Sequence, residues 1–531
     1  MQKHLHVATL SLTIAAGAPQ FATAQEVLDQ QFGVVNFETS CNDIAQRRFN
    51  RAMRYQHSFW YDQAKEVFEE ALKADPTCAI AEWGIALTYV NNPHIAIPAA
   101  NLAPGLAAIQ RAKALNARTE RERDYIDALA LMYVDHDKLS HRERIGAFLK
   151  AMEGLATKYP KDDEAQIAYA ITLNASASPS DKSYAQQTKG AALLEPISKR
   201  LPLHPGVTHY LIHLYDYPET AHKGLEAAQR YAKIAPAAPH AQHMPSHIYT
   251  RVGYWKESIA SNDASAKAAR ADKEAANQLH GQDYMVYAHL QLGQDKSARA
   301  VMDDMAATKN VGDGAFPSQF ALAASSARYM VERSDWKGAA QLQVRPSKFP
   351  QTMAITHFAR ALGAARSGDV SAASADVQKL AELRDQLRQA KDAYWSEIVD
   401  IQRQIAAAWV LAAEGKHEEA LSAMKAAADG EDKTEKHAVT PGPLAPAREL
   451  YGVMLLERGR PNEALAAFEL TKAKEPNRFH GYAGAAQAAD KLGDTAKAKD
   501  NYQRLIALTS DAEAERPEIA AARKFIEANK Q

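Results

Sequence analysis

The chain has 531 residues, with 63 Lys plus Arg against 64 Asp plus Glu and a formal net charge of −1. Charges of both signs are interspersed, which excludes a nucleic-acid or anionic-membrane partner held by bulk electrostatics. Ala, Leu, Glu, Lys, Gln and Arg dominate and β-branched runs are few, which is helix-forming chemistry.

The first stretch, MQKHLHVATLSLTIAAGAPQFATAQE, reads as a secretory signal over residues 1–24. Lys3 gives a short basic start, Val7 to Ala16 are mostly apolar, and Ala22-Thr23-Ala24 offers a cleavage site before Gln25. The apolar run is too short to span a bilayer, and no other stretch is apolar enough for a membrane helix. No cysteine follows the cleavage site directly, so no lipid anchor is expected. The expected location is the periplasm or the cell exterior. The two cysteines, Cys41 and Cys78, lie 37 apart. In an oxidising compartment they are expected to pair, at a gain of about 3–4 kcal/mol from chain entropy; two buried thiols are the alternative.

From Tyr55, the stretch YQHSFWYDQAKEVFEEALKADP places Ala64, Phe68, Ala71 and Pro76 at a set spacing: small, aromatic four on, small three on, proline five on. This resembles the tetratricopeptide repeat (TPR), a 34-residue antiparallel helix pair. The small residue lets the two helices approach, the aromatic fills the gap, and proline ends the second helix. The pattern returns at Gly224, Ala228, Tyr231 and Pro236, at Ala464, Phe468, Thr471 and Pro476, and at Ala498 and Tyr502. Weaker units lie around Cys78, Trp255, Trp336 and Gly368. The expected fold is all-α, an α-solenoid of divergent TPR helix pairs. Repeats with insertions fill 25–203, a His-rich set fills 204–310, and further helical repeats fill 311–426. A Pro-rich connection is expected over 427–447, followed by TPR repeats over 448–531.

The histidines crowd into HPGVTHYLIHLYD (His204–Asp216), HAQHMPSHIYTR (His240–Arg251) and the stretch around His280. His209 and His243 are 34 apart, as are His213 and His247. With Gly224, Ser258 and Ala298 as the twentieth repeat residue, these four take the fifth and ninth positions, which the TPR resemblance places on the concave groove. His240 and His280 take the second position, Asp216 the twelfth, Asp283 the fifth and Tyr287 the ninth. Spacings of three and four put side chains on one helical face, and helices packed about 8–10 Å apart let long imidazoles converge. His209, His213, His240, His243, His247, His280 and Asp283 therefore read as a metal-ligand set. Asp216, Tyr284 and Tyr287 read as groups that orient the ligands or move protons, and Asp216 and Asp283 serve equally in either role. Pro245 is expected either to bend its helix and aim His243 and His247 inward or to mark a simple irregularity of the helix start. His57, His94, His136, His141, His357, His417, His437 and His480 read as surface or satisfied core residues. His204, His222 and His289 border the cluster without sharing its face.

Nitrogen and oxygen donors suit Zn²⁺, Cu²⁺, Ni²⁺ or Fe²⁺, and copper and zinc are the cofactor candidates. The donors exceed one tetrahedral site, so two ions, or one ion with orienting partners, both fit. The combination HPGxxHYxIHxxD, HAxHMPSHIYxRxGxW, EKHxVTPGPLxPARE and PNRFxGYxGAAxAA is similar to that of a group of exported bacterial TPR-like proteins, which implies a fold and a location, not an activity. HExxH, GxSxG, a Walker loop and GxGxxG are absent. Three functions remain: transition-metal binding on the concave face, a metal-dependent oxidative or hydrolytic enzyme using that site, and a metal-free scaffold for an extended protein or peptide partner. TPR grooves that capture carboxylates carry Lys, Arg and Asn where this chain has His, which speaks against capture of a peptide terminus. From about Val311 on, the chain reads as scaffold or partner surface.

Overall fold

The computed structural model describes residues 31–178, 181–309, 311, 315–514 and 516–529, so the expected signal segment 1–24 lies outside the described residues. Among the described residues every regular element is a helix, and successive helices pack side by side along the chain as an α-solenoid. No helix among them is long and apolar enough to cross a membrane.

The repeat residues do the expected packing. Ala64, Phe68 and Ala71 of the Tyr61–Ala74 helix are fully buried. A Cβ on Gly84, in the following Ala79–Val90 helix, would lie 2.4 Å from the Phe68 ring, so the aromatic of one pair requires a glycine on the next. The arrangement recurs in the C-terminal part, where a Cβ on Gly484 would lie 2.3 Å from the Phe468 ring.

Cys41 precedes the Asp43–His57 helix and Cys78 starts Ala79–Val90; the two form a disulfide with Cα atoms 5.1 Å apart. A Cys41→Ser, Cys78→Ser chain is expected to lose about 3–4 kcal/mol of stability through the freed unfolded-state loop. A urea titration checks this, and an unchanged midpoint under oxidising conditions contradicts the pairing.

The solenoid winds far enough to bring distant turns into contact. Trp60 Nε1 donates to Glu274 Oε1 at 2.8 Å, and Trp255 Nε1 donates to the Asn477 carbonyl at 2.8 Å, across 214 and 222 residues of chain. The expected 427–447 connection starts later than its composition suggests. The His417–Glu431 helix continues through it because Ala427 and Ala428 are fully buried in the core of the C-terminal half. Residues 432–446 then run over the His-rich helices instead of through solvent. Lys436 Nζ lies 2.7 Å from Asp216 Oδ2, Tyr284 Oη donates to the Thr440 carbonyl at 3.0 Å, and Arg328 Nη1 donates to the Pro443 carbonyl at 2.9 Å. The part of the chain read as plain scaffold thus supplies side chains to the histidine region.

Candidate metal centre

The Pro205–Tyr215 helix starts with Pro at its first position and then Gly206, where a Cβ would lie 2.4 Å from His57 Nδ1. That close start seats His209 and His213 one turn apart on one buried face. The next helix is split: Pro245 interrupts it at Met244, giving Pro239–His243 and Pro245–Val252. His243 and His247 flank the break and face each other with their Nε2 atoms 3.0 Å apart. His280 projects from Ala275–Gln291, its ring centroid 4.3 Å from that of His243.

The six imidazoles sort into two groups of three, His209–His213–His240 and His243–His247–His280, with one ring nitrogen from each member within 4.8 Å of the others. Each group follows one rule of the repeat: the fifth and ninth residues of one unit, plus the second residue of the next. The groups are neighbours, with His213–His247 and His240–His243 ring centroids each 6.0 Å apart.

Proton positions follow from the partners. His209 Nδ1 lies 2.7 Å from the His57 carbonyl, which only accepts, so Nδ1 carries the proton and Nε2 is a lone pair. That lone pair is approached by His213 Nε2 at 3.1 Å and His240 Nε2 at 3.2 Å. His243 Nδ1 donates to Asn262 Oδ1 at 2.6 Å, and the Asn262 amide is oriented by its own donation to the Ser258 carbonyl. His247 Nδ1 donates to Asp216 Oδ2 at 2.8 Å. The two Nε2 atoms that meet at 3.0 Å are therefore both lone pairs, and no hydrogen bond joins them.

Burial, followed by neighbouring imidazoles, lowers the pKa of His213, His240 and His243 well below the usual value, and burial brings His209 and His280 to about 3. Burial also lowers His247, against the pull of Asp216. All six are neutral near pH 7, the state in which imidazole binds a metal. Burial would raise the Asp216 carboxyl, but Lys436 at 2.7 Å and Arg251 at 2.9 Å hold it well below the usual carboxylate range. Glu435 Oε2 lies 3.4 Å from Arg251 Nη2 and extends the network.

A third convergence, His57–Glu164–His204, is of another kind. His204 Nδ1 accepts from the Val207 amide, so its Nε2 donates to Glu164 Oε1 at 2.9 Å. His57 Nδ1 accepts from Tyr210 Oη at 3.0 Å, so its Nε2 donates to Glu164 Oε2 at 3.1 Å. Every nitrogen there has its partner, and the group is complete as a hydrogen-bonded network.

Two expected residues lie elsewhere. Asp283 holds the fifth position of a third unit, where no histidine joins it; it turns to Ser325, whose Oγ donates at 3.2 Å, and burial raises its carboxyl to about 6. Tyr287 Oη accepts from Arg478 Nη1 at 2.7 Å, and the Tyr287 ring packs on Trp255, away from the imidazoles. Tyr284 does stand at the cluster, its centroid 4.8 Å from His243 and 5.4 Å from both His247 and His280. The groove is also not open. His209, His213, His243 and His247 are buried and His240 and His280 partly so: Phe59 packs on His209, His213 and His240, while residues 432–446 reach Asp216 and Tyr284 beside the second group.

Sequence reasoning passed over several contributors. His57 supplies its carbonyl, and Asn262 sits on the second helix of its repeat, off the groove positions that reasoning followed. His94 packs against His213 with centroids 4.3 Å apart, its Nε2 buried without a hydrogen bond. Its signal was weak, a single histidine in the irregular stretch NNPHIAIP. Lys436 had a signal, since it stands in the EKHxVTPGP motif.

The tetratricopeptide-repeat family profile matches residues 45–78, the stretch that holds Ala64, Phe68, Ala71 and Pro76. The match covers one helix-pair repeat near the start of the described residues. No curated protein matches it. Among solved structures it is similar to Naa15/Naa10 bound to HypK-THB, at 14% identity over 91% of this chain and 74% of that one, with a TM-score of 0.23. It is also similar to yeast Tom70, at 12% identity over 92% and 96% with a TM-score of 0.34, and to the APC/C hetero-tetramer Cut9–Hcn1, at 10% identity over 91% and 96% with a TM-score of 0.30. At these scores the likenesses carry nothing about the histidine site.

Proposed function

We propose that the chain is an exported TPR-like solenoid that holds two transition-metal ions, each on three imidazoles, inside its closed concave face. The observation that carries this reading is the 3.0 Å approach of His243 Nε2 and His247 Nε2, two lone pairs that face each other in a buried place. Facing lone pairs repel, and a cation between them turns the repulsion into coordination. About 3 Å is also near the separation of two nitrogens on one tetrahedral ion, given metal–nitrogen bonds of about 2.0–2.1 Å. The contrast with the fully satisfied His57–Glu164–His204 group supports it further.

Neutral nitrogen donors without thiolate favour Zn²⁺ or Cu²⁺. Three protein ligands leave a coordination position free, as in catalytic sites, and an ion bound there acts as a Lewis acid toward an oxygen or nitrogen ligand. Asp216 and Asn262 fix the Nδ1 protons and aim Nε2 of His247 and His243, and the His57 carbonyl does the same for His209. A metal-dependent enzyme is therefore the first elaboration of this reading. The Cys41–Cys78 disulfide supports an oxidising location. The covering of the concave face by 432–446 favours a protein partner on the outer surfaces over an extended peptide in the groove.

Elemental analysis of the purified wild type beside a variant with His209, His213, His243 and His247 all changed to Ala tests the proposal. Close to two equivalents of Zn or Cu in the wild type alone is the expected result. A folded wild type that contains no metal and takes up neither added Zn²⁺ nor added Cu²⁺ sinks it.

A further inference from the structure

Beside the first imidazole group lies a cavity that the metal reading does not use. About 90 Å³ of it admits the centre of a water-sized sphere, where a single buried water needs about 10–15 Å³. Its walls are mainly apolar, with the rings of Phe37, Phe59, Trp83, Tyr125, Phe148 and Tyr210 among aliphatic side chains, and no Lys or Arg lines it. The His57–Glu164 pair closes one side, already satisfied by its own hydrogen bonds. A largely apolar space of this size, bordered by aromatic rings and with no cation in its wall, favours an uncharged planar molecule over an anion.

The wall between cavity and histidines is one side chain thick. The Phe59 ring lines the cavity and also lies 4.4 Å from His209, 5.0 Å from His240 and 5.9 Å from His213, centroid to centroid. Phe59 holds φ at 56°, a left-handed conformation that a residue following a helix normally assigns to glycine. An aromatic residue there is a strained choice, and such strain persists where a side chain is held in place for function. The second wall segment, which leads to His94, begins with another residue of positive φ, Asn91 at 61°.

We propose that this cavity binds a small uncharged aromatic molecule and presents it across Phe59 to the His209–His213–His240 group. The presentation half rests on the metal reading; the binding half does not. The probe is p-cresol, titrated calorimetrically into the full chain in metal-free and metal-loaded forms, with metal content measured on the same samples. Saturable binding of one equivalent is expected in both forms. Ala168→Phe, which fills the cavity from its wall, should weaken it by about tenfold or more, and the milder Ala168→Leu should weaken it less. In Co²⁺-loaded protein the p-cresol protons should show enhanced relaxation that is absent with Zn²⁺. No saturable heat in either form, or binding unchanged in both Ala168 variants that fold as wild type, overturns the cavity assignment while leaving the metal content untouched. Binding without relaxation enhancement in Co²⁺-loaded samples overturns the presentation step. Binding in a chain that takes up no metal refutes the metal reading and the presentation step together, and leaves the cavity assignment standing.

Discussion

A chain carrying His243→Ala is expected to hold about half the metal of the wild type, and His213→Ala the same half-load from the other group. The expectation follows from the way the imidazoles divide. His243 belongs with His247 and His280, and His213 with His209 and His240. Removing one of three ligands leaves two imidazoles, too few to hold a divalent ion against dilution. The neighbouring group keeps its three, along with the carbonyl and amide groups that aim them. Combining the two substitutions should therefore abolish binding. If each single variant instead loses all metal, the six imidazoles form one cooperative site; if each retains the full load, neither residue is a ligand. Elemental analysis of the singles and the double separates these outcomes.

Asp216→Asn is expected to cost about 3–5 kcal/mol, the range for removing one partner of a buried ion pair. The carboxylate accepts from His247 Nδ1, Arg251 Nε and Lys436 Nζ, and all four side chains are buried. The substitution keeps the shape, leaves Lys436 without its anion, and leaves Arg251 with Glu435 alone. It also turns the partner of His247 into an amide that either donates or accepts, so the imidazole loses its fixed tautomer. Metal affinity should fall about 10–100-fold, as when an orienting partner of a ligand histidine is lost. Urea unfolding of the metal-free proteins measures the first effect and competition with a chelator measures the second. A variant within about 0.5 kcal/mol of wild type would mean that the charges are not paired as described.

The parts of the site that depend on repeat register were legible in the sequence. The 34-residue separation of His209 from His243, and of His213 from His247, gives equal helix faces because a repeat position fixes an orientation. Ala64, Phe68 and Ala71 told the packing for the same reason, and the two cysteines fell at the starts of neighbouring units. Three things were not legible. Asp283 shares the register of a groove residue, but without histidine partners a carboxylate settles on the nearest donor, here Ser325. The covering by 432–446 depends on how far the whole solenoid winds, a sum of small rotations that no local pattern records. Phe59 and His94 lie where the chain leaves the repeat, at the end of one helix and in an insertion, so periodicity says nothing about them. The motif EKHxVTPGPLxPARE contains Lys436, the lysine that pairs with Asp216.

The most direct test of the two-ion centre is anomalous diffraction from metal-replete crystals, collected on both sides of the absorption edge of the element found by analysis. The account predicts two peaks, one within about 2.0–2.1 Å of His209, His213 and His240 Nε2 and one at the same distance from His243, His247 and His280. Crystals grown with excess Zn²⁺ or Cu²⁺ that show no peak at either group would contradict it.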